Sequence, residues 1–166
     1  MSKRELKKYL SSLSKKQLEA QMLDLYIRFK PVKEYYNFVF NPNEEKLISE
    51  CKFKINKEYF PTSSRKPKKR RSTAHKFIKK FKLLGVNPLI IADIMLFNIE
   101  TAQKFSARNN MPDSFFTSMI KSYREAVEYI QDSGLRSDFR ERLEKIADNS
   151  IEQDWINYQA FENTLL

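Results

Sequence analysis

The feature that most constrains the fold of this chain is a long apolar stretch near its middle. Residues 87–105 read NPLIIADIMLFNIETAQKF, and nearly every side chain from Leu89 to Ile99 is apolar. A helix that is apolar on almost all sides must be surrounded by other elements. Asn87 and Pro88 form a typical helix start. The stretch therefore predicts a central helix over residues 88–105.

The glycine content favours helices in the rest of the chain as well. Only Gly85 and Gly134 occur among 166 residues, whereas sheet-rich folds usually need more turn glycines. We therefore predict an all-α fold of about eight helices, arranged as stacked helical hairpins around residues 88–105. We expect one domain that spans residues 1–166.

Several helix ends are marked by local signals. Ser14 and Gln17 have the spacing of a reciprocal N-terminal cap, and Gly85 is well placed as a left-handed helix terminator. Similar signals predict later helix starts at Ser72 or Thr73, at Ser137, and at Ser150 paired with Gln153.

The first helices carry apolar residues at helical spacing. We expect a buried stripe on the second helix, formed by Leu18, Met22, Leu25, Tyr26 and Phe29. The dense aromatic group that follows has two interpretations, a contact patch for another protein or part of the core, and we favour the core. It consists of Tyr35, Tyr36, Phe38 and Phe40.

The strongest functional signal is a run of positive charge. Residues 61–72 lack apolar periodicity, contain two prolines and are predicted to form an exposed, mobile basic loop. Together with the adjoining helix they supply the candidate polyanion-binding residues, which are Arg65, Lys66, Lys68, Lys69, Arg70, Arg71, Lys76, Lys79 and Lys80. Such a cluster can neutralise phosphates, although the loop could equally be solvated or dock on acidic helices. Phe77 and Phe81 have core spacing, so we do not expect them to stack on bases.

The overall charge is split between the two halves of the chain. Residues 1–82 hold 23 Lys and Arg against 8 Asp and Glu, and the remainder holds 8 against 13, which gives net charges of +15 and −5. This split indicates either a polyanionic partner for the first half or pairing between the halves, within or between chains.

Three single residues are candidates for special roles. Asp93 is the one charge in the apolar run and shares a helical stripe with Glu100, which favours a solvent-facing edge. If Asp93 is buried, we expect an ion pair with a Lys or Arg from the first half. His75 is the only histidine and is expected near the surface, while Cys51 is expected to act as a small apolar core residue.

Four fragments of the sequence resemble a known family. They are Ser2-Lys3-Arg4-Glu5-Leu6, Phe38-Val39-Phe40-Asn41-Pro42, Arg70-Arg71-Ser72 and Ile91-Ala92-Asp93. Together they resemble an uncharacterised bacterial family of small cytoplasmic proteins, domain of unknown function 6155, over the whole chain. The resemblance implies a stand-alone cytoplasmic protein and brings no known activity or ligand.

The sequence leaves three classes of function open. We favour a non-enzymatic interaction module that binds a protein partner, or itself as a homo-oligomer, through helical faces. The alternative is a nucleic-acid-associated protein that contacts phosphates through residues 65–80. An enzyme with carboxylate chemistry is a third class, although no catalytic motif is present. We expect no cofactor and no metal, since one His, one Cys and two Gly cannot build the usual sites. We expect no membrane association, since the longest uncharged run, Leu83–Ala92, is too short to cross a bilayer.

Overall fold

The computed structural model describes residues 2–165, and every element in this range is an α-helix. The all-α prediction is confirmed. Nine helices lie within the described range, close to the predicted eight. Their bounds are α1 Lys3–Ser11, α2 Lys15–Arg28, α3 Lys30–Phe40, α4 Glu44–Tyr59, α5 Arg71–Leu84, α6 Pro88–Ser106, α7 Asp113–Asp132, α8 Arg136–Glu152 and α9 Tyr158–Leu165.

The chain forms two compact units. The first, which we call the N-terminal unit, ends at Asn43 and contains α1 to α3. The second, which we call the C-terminal unit, begins at Glu44 and contains α4 to α9.

Helix α6 is the centre of the C-terminal unit, as its apolar sequence predicts. The Asn87 side chain accepts a hydrogen bond from the Leu89 amide at 3.0 Å, and Pro88 occupies the first turn. Helices α4, α5, α7 and α8 all pack against α6. Ile94, Leu96 and Ile99 are fully buried among them. Truncation of such a side chain to alanine costs about 2–5 kcal/mol, so α6 makes a large contribution to stability.

The last helices close the core with aromatic side chains. Trp155, between α8 and α9, packs edge-on against Phe115 of α7 and Phe161 of α9, with ring centroids 5.9 and 5.4 Å apart. The Tyr123 hydroxyl of α7 donates to the Leu143 carbonyl of α8 at 2.9 Å. A buried hydroxyl that has a partner adds apolar contact area without an uncompensated polar group.

Local signals predicted some helix ends correctly. Ser14 and Gln17 form the expected reciprocal cap at α2, and Gly85 ends α5 in the left-handed conformation with φ +70°. An L-residue with a side chain would be strained at that φ, which explains the glycine.

Three predicted helix starts are wrong. Helix α5 begins at Arg71 without a side-chain cap from Ser72 or Thr73. Helix α8 begins at Arg136, one residue before Ser137 and two residues after the left-handed Gly134, with Leu135 at the cap position. Ser150 lies buried inside α8 and donates to the Ala147 carbonyl, and α9 begins only at Tyr158.

The N-terminal unit differs most from the prediction. None of the residues in α1, α2 or α3 is buried. The predicted stripe on α2 is half-buried at Tyr26 and exposed at Leu18, Met22, Leu25 and Phe29. The expectation that the aromatic group of α3 joins the core is also wrong, since Phe40 is 73% exposed. The amphipathic pattern formed helices, but it did not cover their apolar faces.

Candidate binding sites

Two surfaces of the described chain have the composition of binding sites. One is a recess in the C-terminal unit, between α4 and the loop of residues 61–70. The other is the exposed apolar surface of the N-terminal unit. The recess is lined mainly by cationic side chains, whereas the surface of the N-terminal unit consists of large apolar side chains.

Glu58 of α4 organises the recess because it fixes the basic loop. Its carboxylate accepts hydrogen bonds from Arg70 Nη2 at 2.7 Å and from Arg70 Nε at 3.0 Å. It also accepts from the Arg70 backbone amide at 3.3 Å and from Thr73 Oγ1 at 3.0 Å. These bonds place a carboxylate at the N-terminus of α5, where the helix favours negative charge. Glu58 thus acts as a tertiary cap in place of a local one.

Burial and charge act on Glu58 in opposite directions. The side-chain hydrogen bonds from Arg70 are the main cause that lowers the pKa of Glu58, and burial opposes them. The charge of Glu58 is therefore retained and compensated inside the protein. Lys69 adds a backbone hydrogen bond to the Glu58 carbonyl at 2.9 Å and takes a left-handed φ of +54°. This turn costs about 1 kcal/mol for a residue with a side chain, and the surrounding bonds offset it.

The recess has a volume of 360 Å³ and a strongly basic lining. Its cationic side chains are Lys54, Lys57, Arg65, Lys66, Lys68 and Arg70, and Glu58 is the one acidic residue of the lining. Lys54 is paired with Glu50 at 2.5 Å, and Arg70 is paired with Glu58. Lys57, Arg65, Lys66 and Lys68 make no ion pair within residues 2–165. Four positive charges therefore remain available to an anion.

Aromatic rings stand beside two of the lysines. Lys57 Nζ lies 5.6 Å from the ring centroid of Phe53, which is 56% exposed. Lys54 Nζ lies 5.5 Å from the centroid of Phe77, which is half-buried. The expectation that Phe77 belongs to the core is therefore only partly met, whereas Phe81 is buried as predicted. Lys54, Lys57 and Phe53 stand on α4, before the basic run, and no charge or aromatic pattern in the sequence marked them as site residues.

The structure separates the predicted tract instead of collecting it on one face. Arg65, Lys66, Lys68 and Arg70 line the recess, while Lys69 Nζ lies 5.9 Å from the ring centroid of Phe105. Arg71 points to α7, where it donates to Ser122 at 2.6 Å and to Glu125 at 2.6 Å. Lys79 lines a different groove with Glu125, Glu128 and other residues, and Lys76 and Lys80 lie exposed on α5.

His75 and Cys51 have structural surroundings. His75 Nε2 lies 3.4 Å from Glu125, but burial, followed by the charge of Arg71, lowers the pKa of the imidazole. Cys51 is fully buried, as expected, and burial raises the pKa of its thiol to about 12. A thiol in that state is a poor nucleophile at neutral pH.

Asp93 is half-buried and doubly paired, so it does not lie on an open, solvated edge. Lys52 Nζ lies 2.7 Å from Asp93 Oδ2, which confirms the expected partner from the first half of the chain. Arg142 Nη1 donates to Asp93 Oδ1 at 2.7 Å and was not predicted. Burial favours the neutral acid, but the hydrogen bonds from Lys52 and Arg142 outweigh it and lower the pKa of Asp93. Arg142 also bridges to Glu100 through two bonds of 2.7 and 3.0 Å.

The second candidate surface consists of large apolar side chains of the N-terminal unit. Twelve of them are more than a third exposed, among them Leu23 at 62%, Ile27 at 79% and Phe40 at 73%. The unit is held together by a few contacts, such as the stacked rings of Tyr36 and Phe40 and the 3.0 Å hydrogen bond from Tyr26 Oη to Asn37. These contacts set the positions of the helices but leave a wide apolar surface on them.

No group of three or more His, Cys, Asp or Glu side chains within residues 2–165 could hold a metal ion. No helix in the described part of the chain is long and apolar enough to cross a membrane.

The fold and these surfaces define a small all-helical protein with a basic recess and a solvent-facing apolar unit. The chain belongs to DUF6155, a family of unknown function, whose match covers residues 1–165. The family that the sequence fragments suggested is thereby confirmed, while its bacterial origin and cytoplasmic setting stay predictions. No match is found among the curated proteins or among the solved structures.

Proposed function

We propose that this protein is a small non-enzymatic interaction protein that binds an acidic protein partner through its N-terminal unit. The observation that supports this proposal is the exposure of α1, α2 and α3, which contain no buried residue among those described. Units of about 40 residues rarely supply enough core to be stable alone, and association is a common way to complete them. An apolar patch of this kind is typical of a protein-binding surface.

The charge around the apolar surface favours an acidic partner over a second copy of the chain. Residues 1–43 carry nine Lys and Arg against four Asp and Glu, a net charge of +5. Two copies joined through this unit would bring like charges together, which costs free energy. A partner with an apolar centre and an acidic rim would gain from both features. We also infer a cytoplasmic setting, because a free buried thiol such as Cys51 is usual in reducing compartments.

Site-specific photo-crosslinking in cells tests the proposal. A crosslinking residue replaces Ile27 or Phe40 in the N-terminal unit, and Leu83, which is 69% exposed in the C-terminal unit, serves as the control position. We expect positions 27 and 40 to capture the same acidic protein and position 83 to capture none. The captured protein, once purified, should bind the Ile27→Ser and Phe40→Ser variants about tenfold more weakly than the unchanged chain, while Leu83→Ser has no effect.

Two outcomes would overturn the proposal. Crosslinks from positions 27 and 40 only into residues 44–166 would mean that the chain covers its own apolar surface. A stable dimer of the purified chain in sedimentation, lost in Ile27→Ser, would replace the acidic partner with self-association.

A further inference from the structure

We infer that the basic recess between α4 and the 61–70 loop binds single-stranded nucleic acid, with phosphates held by Lys57, Arg65, Lys66 and Lys68 and a base stacked on Phe53. This inference is independent of the N-terminal unit and of the partner proposed above. It depends on the recess that the structure forms. This recess includes Lys57, which precedes the predicted tract of residues 65–80, and it lacks the lysines of α5.

The charge of the recess selects for a polyanion. Four cationic side chains there lack an ion pair within residues 2–165, and the one lining carboxylate, Glu58, is already bound to Arg70 and Thr73. An incoming phosphate therefore meets these cations without breaking an internal ion pair. Release of the counterions that these side chains otherwise attract favours binding at low salt.

The size of the recess fits a short piece of strand. A volume of 360 Å³ lies at the lower end of the range for small-molecule sites, about 300–1,000 Å³, so the recess encloses about one nucleotide unit and the strand extends beyond it on both sides. The recess is open to solvent, and its cations stand on two elements, α4 and the loop. A strand that crosses it can therefore place successive phosphates against Lys57 on one side and Lys66 or Lys68 on the other.

Phe53 distinguishes a single strand from a duplex. Its ring is 56% exposed and stands next to Lys57, so a base can stack on the ring while the neighbouring phosphate reaches the ammonium group. Bases in a duplex have both faces covered by their neighbours and cannot use such a ring. Polyanions without bases, such as heparin, can use the cations but gain nothing from Phe53.

The test measures binding of the full chain to a fluorescent oligonucleotide of about twelve thymidines, beside the same length of duplex and heparin. We expect tighter binding to the single strand than to the duplex. The logarithm of affinity should fall with the logarithm of salt with a slope of about −3, as four neutralised phosphates predict for a single strand. No binding of the single strand at about 50 mM salt would overturn the inference.

Matched variants locate the site. Lys66→Gln with Lys68→Gln removes two charges from the recess, and Lys76→Gln with Lys79→Gln removes two charges of the same predicted tract that lie elsewhere. We expect the first pair to weaken binding about tenfold and to make the salt slope shallower by about 1.4, with a change below about twofold for the second pair. Equal losses from both pairs would show attraction by net charge alone and overturn the site.

A third variant separates stacking from charge. Phe53→Ser should weaken single-strand binding about fivefold or more without changing the salt slope, and it should leave heparin binding unchanged. The side chains replaced in these variants are all exposed, so we expect each variant to fold. The fluorescence of the buried Trp155 checks that each variant has folded. Unchanged single-strand binding in Phe53→Ser, or duplex binding as tight as single-strand binding, would contradict the assignment.

Discussion

Arg142 joins three helices of the C-terminal unit through its guanidinium group. It stands on α8, binds Asp93 and Glu100 of α6, and shares Asp93 with Lys52 of α4. The Arg142 and Asp93 side chains are about 30% exposed, at 32% and 29%, so solvent screens the network only in part. An arginine held by two carboxylates in fixed geometry contributes more than a pair on an open helix face.

Loss of Arg142 should therefore be costly. Arg142→Ala leaves Lys52 as the one ion-pair partner of Asp93 and removes both hydrogen bonds that Glu100 accepts from Arg142. We expect the free energy of unfolding to fall by about 2 kcal/mol or more, because two half-buried carboxylates lose a cation. Arg140→Ala on the same helix removes an exposed pair with Glu144 and should lower the free energy of unfolding much less, because solvent screens that pair. Urea unfolding measures both variants. Equal effects would mean that the network adds nothing beyond surface charge.

The lowered carboxyl pKa values predict acid sensitivity. The pKa values of both Asp93 and Glu58 are lowered in the folded state, from ordinary values of 3.8 and 4.5. Each contribution to stability is complete above the ordinary pKa and is lost as pH falls through the lowered one. We expect unfolding free energy measured by urea to decrease below about pH 4.5, and to decrease less steeply in Asp93→Asn. An identical pH profile for that variant would contradict this origin.

The sequence predicted part of this residue-scale chemistry. The spacing of Asp93 and Glu100 placed both on one stripe of a helix, and a cationic partner from the first half was expected and found in Lys52. Arg142 was missed because it lies 49 residues from Asp93, and periodicity cannot say which helices will be neighbours.

At the scale of elements, helix starts divide into those capped locally and those capped by other parts of the fold. The caps at Ser14 and Asn87 lie within three residues of the amides they bind, so the sequence contains the whole signal. The start of α5 depends on Glu58, twelve residues before Arg70. The nearby Ser72 and Thr73 suggested a local cap, but the buried carboxylate of Glu58 caps the helix instead, because it accepts bonds from several donors at the helix start.

Replacement of Glu58 should loosen the start of α5. Glu58→Gln removes the charge that Arg70 and the helix N-terminus share, and we expect a loss of about 2 kcal/mol in unfolding free energy. Hydrogen exchange should become faster for the amides in the first turn of α5. Glu50→Gln on the same helix removes the half-exposed pair with Lys54 and should lower the free energy of unfolding much less, because solvent screens that pair. Unchanged exchange in α5 would show that Glu58 does not cap it.

At the scale of the whole molecule, the core belongs to one of the two units. All buried residues of the described range lie between Cys51 and Phe161, in the C-terminal unit. The sequence predicted the amphipathic helices of the N-terminal unit but not their exposure. A periodic pattern identifies the apolar face of a helix, whereas the element that covers this face depends on the rest of the fold or on a partner.

The C-terminal unit should fold without the first 43 residues. We expect a chain of residues 44–166 to unfold cooperatively with a free energy within about 1 kcal/mol of the full chain, because every buried residue of the described range lies in the C-terminal unit. Trp155, the only tryptophan and 1% exposed, reports this transition by fluorescence. In the full chain, circular dichroism should change before fluorescence as α1, α2 and α3 melt at lower urea concentrations. Coincident transitions would show that the two units unfold together.

The contact between Glu58 and Arg70 links occupancy of the recess to the order of a helix. Arg70 is 55% exposed on its side chain, so an anion that reaches the recess can compete with Glu58 for its guanidinium group. An anion that takes Arg70 removes the side-chain hydrogen bonds that help to hold the Glu58 carboxylate at the start of α5. Ligand binding and the order of the first turn of α5 are then coupled, and a variant that strengthens the contact between Glu58 and Arg70 should weaken the ligand.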